Sequence, residues 1–291
     1  MPPGIPPDIA TLRDRLAAIA PELADAPFTV HSGGWDSVAL DIADLWIFKF
    51  PRTPELISSL RREHAILSLI RPRVTLPVPE LVLHEDSDGV FSQHRKIPGR
   101  ALLPGEFSKL DDAQRRALAE ALARLHAELH AIPVELGVAA GARPVFEVMP
   151  MASIRTALAD RPHAAFVAET TARYEALPPD RTIFGQFDGH GWNMAFDHER
   201  GRLNGMYDFG DSGIGPVHRD LGYSTWAHPR LGRAVTRAYA ATTGYPADPE
   251  AAVLHNTILR LHEYAEGTLA AVSDDPDRDI AAFMQMLGEP D

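Results

Sequence analysis

The stretch that decides the fold is GQFDGHGWNMAFDHERGRLNGMYDFGDSG, residues Gly185 to Gly213. It contains an acid, Asp188, then an amide, Asn193, and after an apolar run a second acid, Asp208, followed by Phe-Gly. Transfer of a phosphoryl group needs an acid beside the acceptor hydroxyl and oxygen ligands that hold magnesium against nucleotide phosphates. The order and spacing therefore predict Asp188 as the catalytic acid/base, with Asn193 and Asp208 as ligands of Mg²⁺ or Mn²⁺.

This spacing is the second half of the protein-kinase signature, so the first half is expected upstream. The segment HSGGWDSVALDI, residues 31–42, has the pattern of a glycine-bearing strand, turn and strand whose backbone N–H groups could cover phosphates. In WIFKFPR, Lys49 lies in a predicted strand, and Glu63 on the next predicted helix could pair with it or belong to a solvated helix face. The upstream candidates for nucleotide binding are Ser32, Gly33, Gly34, Ser37, Lys49 and Glu63.

The order of predicted elements indicates an α+β protein with two lobes. A chain of 291 residues exceeds what one compact core usually supports, and two units of roughly 100 to 200 residues are expected. An N-terminal amphipathic helix, short β-rich runs and one further helix lead up to residue 97, whereas helical periodicity dominates beyond it. We therefore predict an N-lobe, residues 1–97, with a small antiparallel sheet, and a mainly helical C-lobe, residues 98–291.

Composition limits the function classes. The chain is 45% hydrophobic and 23% charged, as in ordinary globular proteins, and it has no apolar run near the ~20 residues that span a bilayer. It has no cysteine, hence no thiolate site, and its N-terminus lacks a secretory pattern, so we expect a cytoplasmic protein without a membrane partner. The formal charge of −12 disfavours a nucleic-acid binder and suits a cationic small substrate, although solubility alone also explains an acidic chain.

Together these motifs resemble the aminoglycoside phosphotransferase family over roughly residues 27–265. The segments GGWDSVALDIADLWIFKFPR and DFGDSGIGPVHRDLGY look most like the enzymes that modify the 2″-hydroxyl of aminoglycosides. The resemblance implies a protein-kinase-like fold and transfer of the γ-phosphoryl group of ATP or GTP to a small acceptor. It also implies that Lys49 contacts the α- and β-phosphates and that Glu63 orients Lys49.

The resemblance further implies an interlobe hinge at residues 94–97, where the backbone, at Arg95 and Ile97, would hold the purine. Asp220 in HRDLG matches a structural acid of the family. The chain departs from the family at Gln186-Phe187-Asp188, where His-Gly-Asp is usual. Because Gln186 can still form hydrogen bonds, we expect a changed support for the loop rather than loss of the base.

Acceptor contacts are the least specific part of the sequence. In a kinase-like fold the acceptor lies between the catalytic loop and C-lobe helices, where acids would bind a polycationic sugar, and Asp211, Glu263 and Glu266 are the candidates. Surface solvation explains these acids equally well. Two alternatives to an aminoglycoside kinase therefore stay open: a kinase for a macrolide, choline-like compound or other metabolite, and a catalytically silent nucleotide-binding protein. Retention of Lys49 together with the acids and amide of the catalytic stretch disfavours the silent protein.

A histidine pair on the long predicted helix near residues 111–130 has a competing explanation. His126 and His130 are four residues apart, as in a zinc-binding helix. That motif needs a glutamate directly after the first histidine, and Ala127 stands there, so a zinc site is disfavoured. We predict instead that the pair packs or forms hydrogen bonds beneath the catalytic loop.

Overall fold

The computed structural model of the protein describes residues 8–31, 36–269 and 273–289. Its larger sheet has five strands in the order β1-β2-β3-β5-β4, and every neighbouring pair is antiparallel. These strands are β1 (Phe28–His31), β2 (Ser37–Ile42), β3 (Trp46–Pro51), β4 (Val82–Asp86) and β5 (Gly89–Arg95). All five lie before residue 97, as the sequence predicts.

Alternation along β2 explains how this sheet is covered. Val38, Leu40 and Ile42 are buried and belong to the same apolar cluster as Leu12 and Leu16 of the N-terminal helix α1 (Ile9–Ile19). Successive strand residues point to opposite faces, so the intervening positions face the other side of the sheet. Helix α1 therefore covers the face of the sheet that carries Val38, Leu40 and Ile42. The opposite face is left to line the cleft between the lobes.

The remaining helices, apart from α2 (Ile57–Ile70), follow the larger sheet. They are α3 (Pro104–Phe107), α4 (Asp112–His130), α5 (Val134–Ala139), α6 (Met151–Ala157), α7 (Ala164–Glu175), α8 (Val217–Gly222), α9 (Pro229–Thr243), α10 (Pro249–Glu266) and α11 (Pro276–Leu287). Asp111 caps α4 by accepting from Gln114 N at 2.8 Å, while the Gln114 side chain accepts from Asp111 N at 3.0 Å. Within the described residues, no helix is both long and apolar enough to cross a membrane.

Two small sheets interrupt the helices and carry the catalytic stretch. In one, β10 (Gly213–Pro216) lies between β6 (Arg143–Pro144) and β7 (Thr182–Gly185); the other is the hairpin of β8 (Met194–Asp197) and β9 (Arg202–Met206). Gly185 pairs with Gly213, so both ends of the stretch meet on neighbouring strands. The segment with Asp188 and Asn193 connects β7 to β8, and Asp208 follows β9. The α+β, two-lobed architecture predicted from the sequence is confirmed.

Candidate active site

The strand lysine lies between two carboxylates. Lys49 Nζ is 3.3 Å from Glu63 Oε1 on α2 and 3.2 Å from Asp208 Oδ1. Burial alone would lower the pKa of Lys49, but Asp208 and Glu63 hold it above its ordinary value, so the ammonium stays charged. Glu63 is buried and also accepts from Phe209 N at 3.3 Å. A cation from one lobe is thereby fixed beside the Asp-Phe-Gly turn of the other.

The predicted acid/base is held by its own loop. Asn193 Nδ2 donates to Asp188 Oδ2 at 2.7 Å and to the Asp188 carbonyl at 2.9 Å. The amide nitrogen of Asn193 is thus turned toward Asp188, which leaves the amide oxygen Oδ1 for another partner. On the other side, His190 Nε2 lies 3.2 Å from Asp188 Oδ1. Burial lowers the pKa of His190 to about 4, so this imidazole is neutral at pH 7.

Carboxylates crowd around this loop. Burial raises the pKa of Asp188 well above its ordinary value, and the charges of Asp211 and Asp208 raise it further. Burial and then Asp208 likewise raise the pKa of Asp211, and burial raises that of Glu263 to about 7. Glu266 differs, since its half-exposed side chain lies 3.5 Å from His262 Nε2. The cluster of Asp188, Asp208, Asp211 and Glu263 therefore carries repulsion that a bound cation would relieve.

The unusual residues before Asp188 support the loop through specific contacts. Gln186 Nε2 donates to the Tyr207 carbonyl at 2.9 Å, which ties the loop to the strand that leads to Asp208. Phe187 has φ +56°, a left-handed conformation that costs a residue with a side chain roughly 1–3 kcal/mol and is usually left to glycine. The Phe187 N–H donates to Asp220 Oδ1 at 2.5 Å, and its buried ring packs against Gly215. Asp220 thus holds the strained backbone directly before Asp188.

Two histidines complete this support, as predicted for the pair on α4. His126 Nδ1 and His130 Nε2 lie 3.0 and 2.8 Å from Asp220 Oδ2. Their ligand atoms lie within 4.8 Å of one another, and all three residues are deeply enclosed. Burial alone would raise the pKa of Asp220, but His126 and His130 hold it far below its ordinary value. The three side chains link α4 to the backbone of the catalytic loop.

Replacing Asp220 with asparagine is expected to lower the free energy of unfolding by roughly 1.5–3 kcal/mol, because buried hydrogen bonds to a charged group are weakened. The folded pKa is depressed, so this contribution is complete above the ordinary aspartate pKa of about 4 and is lost as pH falls below it. Urea denaturation of both proteins between pH 7 and pH 3 should show that the difference between their free energies of unfolding becomes smaller below pH 4. Asp112→Asn, at an exposed site on α4, is the control and should change stability little.

At the predicted hinge, the two backbone carbonyls that would lie nearest the purine already have hydrogen-bond partners. The Arg95 carbonyl lies 2.9 Å from His94 Nδ1, and the Ile97 carbonyl accepts from the Tyr207 hydroxyl at 2.5 Å. The Arg95 guanidinium lies over the Trp46 ring, 4.8 Å from its centroid. Ser37 begins β2. Ser32, Gly33 and Gly34 lie outside the described residues, so their predicted phosphate contacts stay predictions.

Sequence reasoning missed His190 as part of the site. It stands two positions after Asp188 within the same loop, and that proximity was the available signal. Its ring is packed edge-on against Trp192, with centroids 5.2 Å apart, and Trp192 itself is 54% exposed. The loop therefore presents an aromatic surface close to Asp188.

The family model described as "Phosphotransferase enzyme family" matches residues 27–255. The chain belongs to the phosphotransferase enzyme family. The match includes both halves of the signature and every residue of the site except Glu263 and Glu266. No curated protein sequence was found that matches this phosphotransferase.

Solved structures of other phosphotransferases share its fold. The GDP complex of wild-type aminoglycoside 2′-phosphotransferase-IIIa is 21% identical with a TM-score of 0.77, over 96% of this chain and 97% of that one. The complex of APH(2″)-IIIa with GDP and kanamycin is 22% identical with a TM-score of 0.75, over 94% of this chain and 97% of that one. A macrolide 2′-phosphotransferase from Brachybacterium faecium is 20% identical with a TM-score of 0.65, over 97% of this chain and 99% of that one. At these identities the likeness establishes the kinase-like fold.

Proposed function

We propose that this phosphotransferase moves the γ-phosphoryl group of ATP or GTP to a hydroxyl group of a small cationic molecule. One observation carries the proposal: Lys49, Glu63 and Asp208 are joined in one ion-paired group, beside the loop where Asn193 holds Asp188. A catalytically silent protein would not need this combination of a charged lysine, hard oxygen ligands and a positioned carboxylate.

The nucleotide would bind between the N-lobe, residues 1–97, and the C-lobe, residues 98–291. Lys49 would contact the α- and β-phosphates while Glu63 keeps the ammonium in place, and the backbone of residues 94–97 would hold the purine. Structures of relatives contain GDP, ADP or ATP, which supports a nucleoside triphosphate donor of either base. A donor of this kind would place the activity in the cytoplasm.

Asn193 and Asp208 suit a magnesium or manganese ion. The Asn193 amide directs its nitrogen to Asp188, so its oxygen remains, and the half-exposed Asp208 uses only Oδ1 on Lys49. Amide and carboxylate oxygens are the ligands that Mg²⁺ prefers. When bound, the ion would neutralise charge on the β- and γ-phosphates.

Asp188 would accept a hydrogen bond from the acceptor hydroxyl and orient its oxygen toward the γ-phosphorus. It would take the proton as the new P–O bond forms and the bond from the γ-phosphorus to the β–γ bridging oxygen breaks, which releases the nucleoside diphosphate. Its raised pKa makes it a stronger base than an ordinary aspartate. Asn193 donates to Asp188 Oδ2, which orients the carboxylate before the substrate arrives, and the neutral His190 ring lies 3.2 Å from Oδ1.

For the acceptor, we propose an aminoglycoside as the first class to test. Asp211 and Glu263 lie in the crowded carboxylate cluster, where an ammonium group would relieve repulsion, and Glu266 is the weaker candidate because His262 lies beside it. A macrolide or another metabolite is the alternative, since one structural relative is a macrolide phosphotransferase.

A screen of hydroxylated antibiotics and metabolites for acceptor-dependent consumption of ATP and GTP tests the proposal. Kanamycin, a macrolide, choline and hydroxylated amino acids would represent the acceptor classes. Mass spectrometry of the product should show one added phosphoryl group. If no acceptor is phosphorylated although nucleotide binds, the silent alternative replaces the proposal.

Salt should separate the acceptor classes. For a polycationic acceptor, the apparent KM should rise with ionic strength, because exposed charge pairs are screened over a Debye length of roughly 8 Å at physiological salt. The KM of the nucleotide should change less, since metal and backbone contacts contribute to its binding. Steady-state kinetics at several NaCl concentrations checks this, and a salt-independent acceptor KM would favour a neutral acceptor such as a macrolide.

A further inference from the structure

Tyr239 on α9 is completely buried, yet its hydroxyl group contacts two polar side chains. Arg181 Nη2 donates to the Tyr239 oxygen at 2.8 Å, and His130 Nδ1 lies 2.9 Å from the same oxygen. A guanidinium can only donate, so the Tyr239 oxygen is the acceptor in its contact with Arg181. The proton of the hydroxyl then has His130 Nδ1 as its acceptor, and this ring nitrogen carries no proton.

The tautomer of His130 follows from this contact. Burial lowers the pKa of His130 despite the Asp220 carboxylate, and the charge of Arg181 acts in the same direction as burial, so the ring is neutral. A neutral imidazole carries one proton, and since Nδ1 accepts from Tyr239, that proton is on Nε2. Nε2 lies 2.8 Å from Asp220 Oδ2. His130 is therefore held in the tautomer that donates to the Asp220 carboxylate.

The same carboxylate holds the backbone before Asp188. Asp220 Oδ1 accepts from the Phe187 N–H at 2.5 Å, where Phe187 has φ +56°. If the proton of His130 were on Nδ1 instead, the lone pair of Nε2 would face the Asp220 anion at 2.8 Å, and the carboxylate would turn away. A turned carboxylate would no longer be directed at the Phe187 N–H. The direction of the Tyr239 hydroxyl thus reaches the loop through two side chains.

Arg181 connects this chain of hydrogen bonds to the surface. It directly precedes β7, the strand that leads to the loop of Asp188, and the residue is exposed. Its guanidinium lies over the Tyr245 ring, 4.4 Å from the centroid, and the Tyr245 hydroxyl donates to Asp180 Oδ1 at 3.0 Å. The cation is therefore fixed in place while one of its N–H groups reaches the buried hydroxyl of Tyr239.

We propose that Tyr239 is a positioning residue, which fixes the tautomer of His130 and, through Asp220, the backbone that orients Asp188. Because Tyr239 is fully buried, it acts only through these partners. A displacement of about 1 Å at a reacting group can cost roughly 100-fold in rate, so support of this kind matters for turnover. The inference rests on the proposed role of Asp188 in phosphotransfer, whereas the tautomer can be measured without any turnover.

Nitrogen-15 NMR of the histidine rings tests the tautomer. In the wild type at pH 7, His130 should carry its proton on Nε2 and none on Nδ1. The amide proton of Phe187 should resonate downfield because of its short hydrogen bond to Asp220. Tyr239→Phe should shift the Nδ1 resonance of His130 and move the Phe187 amide proton upfield. A wild-type His130 with its proton on Nδ1 overturns the proposal.

Turnover tests the consequence for the loop. Tyr239→Phe removes only the hydroxyl group, and kcat with an acceptor from the screen should fall roughly 2- to 10-fold, the loss of one neutral hydrogen bond expressed in the transition state. The fall should stay modest because His126 still donates to Asp220 Oδ2. The KM of the nucleotide should not change, since Lys49 lies outside this chain of hydrogen bonds.

Tyr174→Phe is the matched control. The Tyr174 hydroxyl lies 3.5 Å from His255 Nδ1, and the two rings meet edge-on with centroids 5.0 Å apart, much like the 5.2 Å between Tyr239 and His130. Among the described residues, His255 forms no hydrogen bond with Asp220 or with the loop. Tyr174→Phe should therefore keep the wild-type kcat and the wild-type position of the Phe187 amide proton.

Two variants at the exposed Arg181 test the first link of the chain. Arg181→Met leaves the Tyr239 hydroxyl free to turn, so it should lower kcat and shift the His130 Nδ1 resonance in the same directions as Tyr239→Phe. Arg181→Lys keeps a cationic donor and should recover most of the wild-type kcat. If Tyr239→Phe does not fold, Arg181→Met decides, and wild-type values of both quantities overturn the proposal.

The remaining outcomes separate a structural role from positioning and the two proposals from each other. If Tyr239→Phe lowers the Tm but keeps the wild-type kcat, its hydroxyl is only structural and the proposal is overturned, even where the NMR signals move. If the tautomer and the Phe187 shift behave as expected but the wild type phosphorylates no acceptor, the hydrogen-bond chain stands and the phosphotransfer proposal fails.

Discussion

Replacing Asp188 with asparagine is expected to lower kcat by roughly 10²- to 10⁴-fold, the usual contribution of a positioned acid/base. The substituted amide keeps an oxygen that can accept from Asn193 Nδ2, so the shape of the loop should persist. What is lost is the basic lone pair aimed at the acceptor hydroxyl. Kinetics with an acceptor from the screen, under saturating nucleotide, measures the effect.

The controls for this variant separate chemistry from structure. The Kd of the nucleotide should barely change, because Lys49 and Asp208 still provide the phosphate and metal contacts proposed for them. The Tm should stay near that of the wild type, and Asp160→Asn, at an exposed loop position, should retain full kcat. Near-normal turnover by Asp188→Asn, or joint loss of nucleotide binding and folding, would show that Asp188 is not the acid/base.

Removal of divalent cations is expected to abolish phosphoryl transfer. The candidate ligands Asn193 and Asp208 offer only hard oxygen atoms, which suit Mg²⁺ or Mn²⁺, and without the ion the charge on the phosphates would be neutralised by Lys49 alone. Excess EDTA should therefore stop turnover, and added Mg²⁺ or Mn²⁺ should restore it. Full activity in EDTA would contradict the proposed metal site.

Asp208→Ala is expected to weaken metal binding without abolishing it. It removes one proposed ligand and also the carboxylate 3.2 Å from Lys49, so both the Kd of the metal–nucleotide complex and the Mg²⁺ concentration for half-maximal turnover should rise. Asp160→Ala removes the same charge at an exposed position and should leave both values unchanged. A variant at Asp208 with wild-type Mg²⁺ dependence would place the metal on other residues.

Local sequence patterns were sufficient for the fold and indicated some of the contacts at the candidate site. Strand alternation and helical periodicity depend on neighbours within a few residues, so the five-stranded sheet and the long helices could be predicted. The sequence left two readings for Glu63, a partner of Lys49 or part of a solvated helix face, and the structure places it buried and 3.3 Å from Lys49. The hydrogen bonds of His126 and His130 beneath the loop were also predicted correctly.

Other parts of the site depend on contacts between distant segments, and the sequence alone did not indicate them. The left-handed φ of Phe187 is stabilised by Asp220, 33 residues away, and no local rule places a phenylalanine there. The strand β10 is a short run of Gly-Ile-Gly-Pro that forms only because β6 and β7 lie on either side.

The contact between Phe187 and Gly215 constrains how this loop could arise or be redesigned. A Cβ atom at Gly215 would lie only 2.9 Å from Phe187 Cζ and 2.6 Å from Val145 Cγ2, so the aromatic ring fits only while position 215 has no side chain. Reverting Phe187 to the glycine usual in the family would relax the backbone but leave a void beside Gly215. An engineered exchange of this loop that keeps Phe187 must therefore also keep glycine at position 215, where Val145 leaves no room for a side chain either.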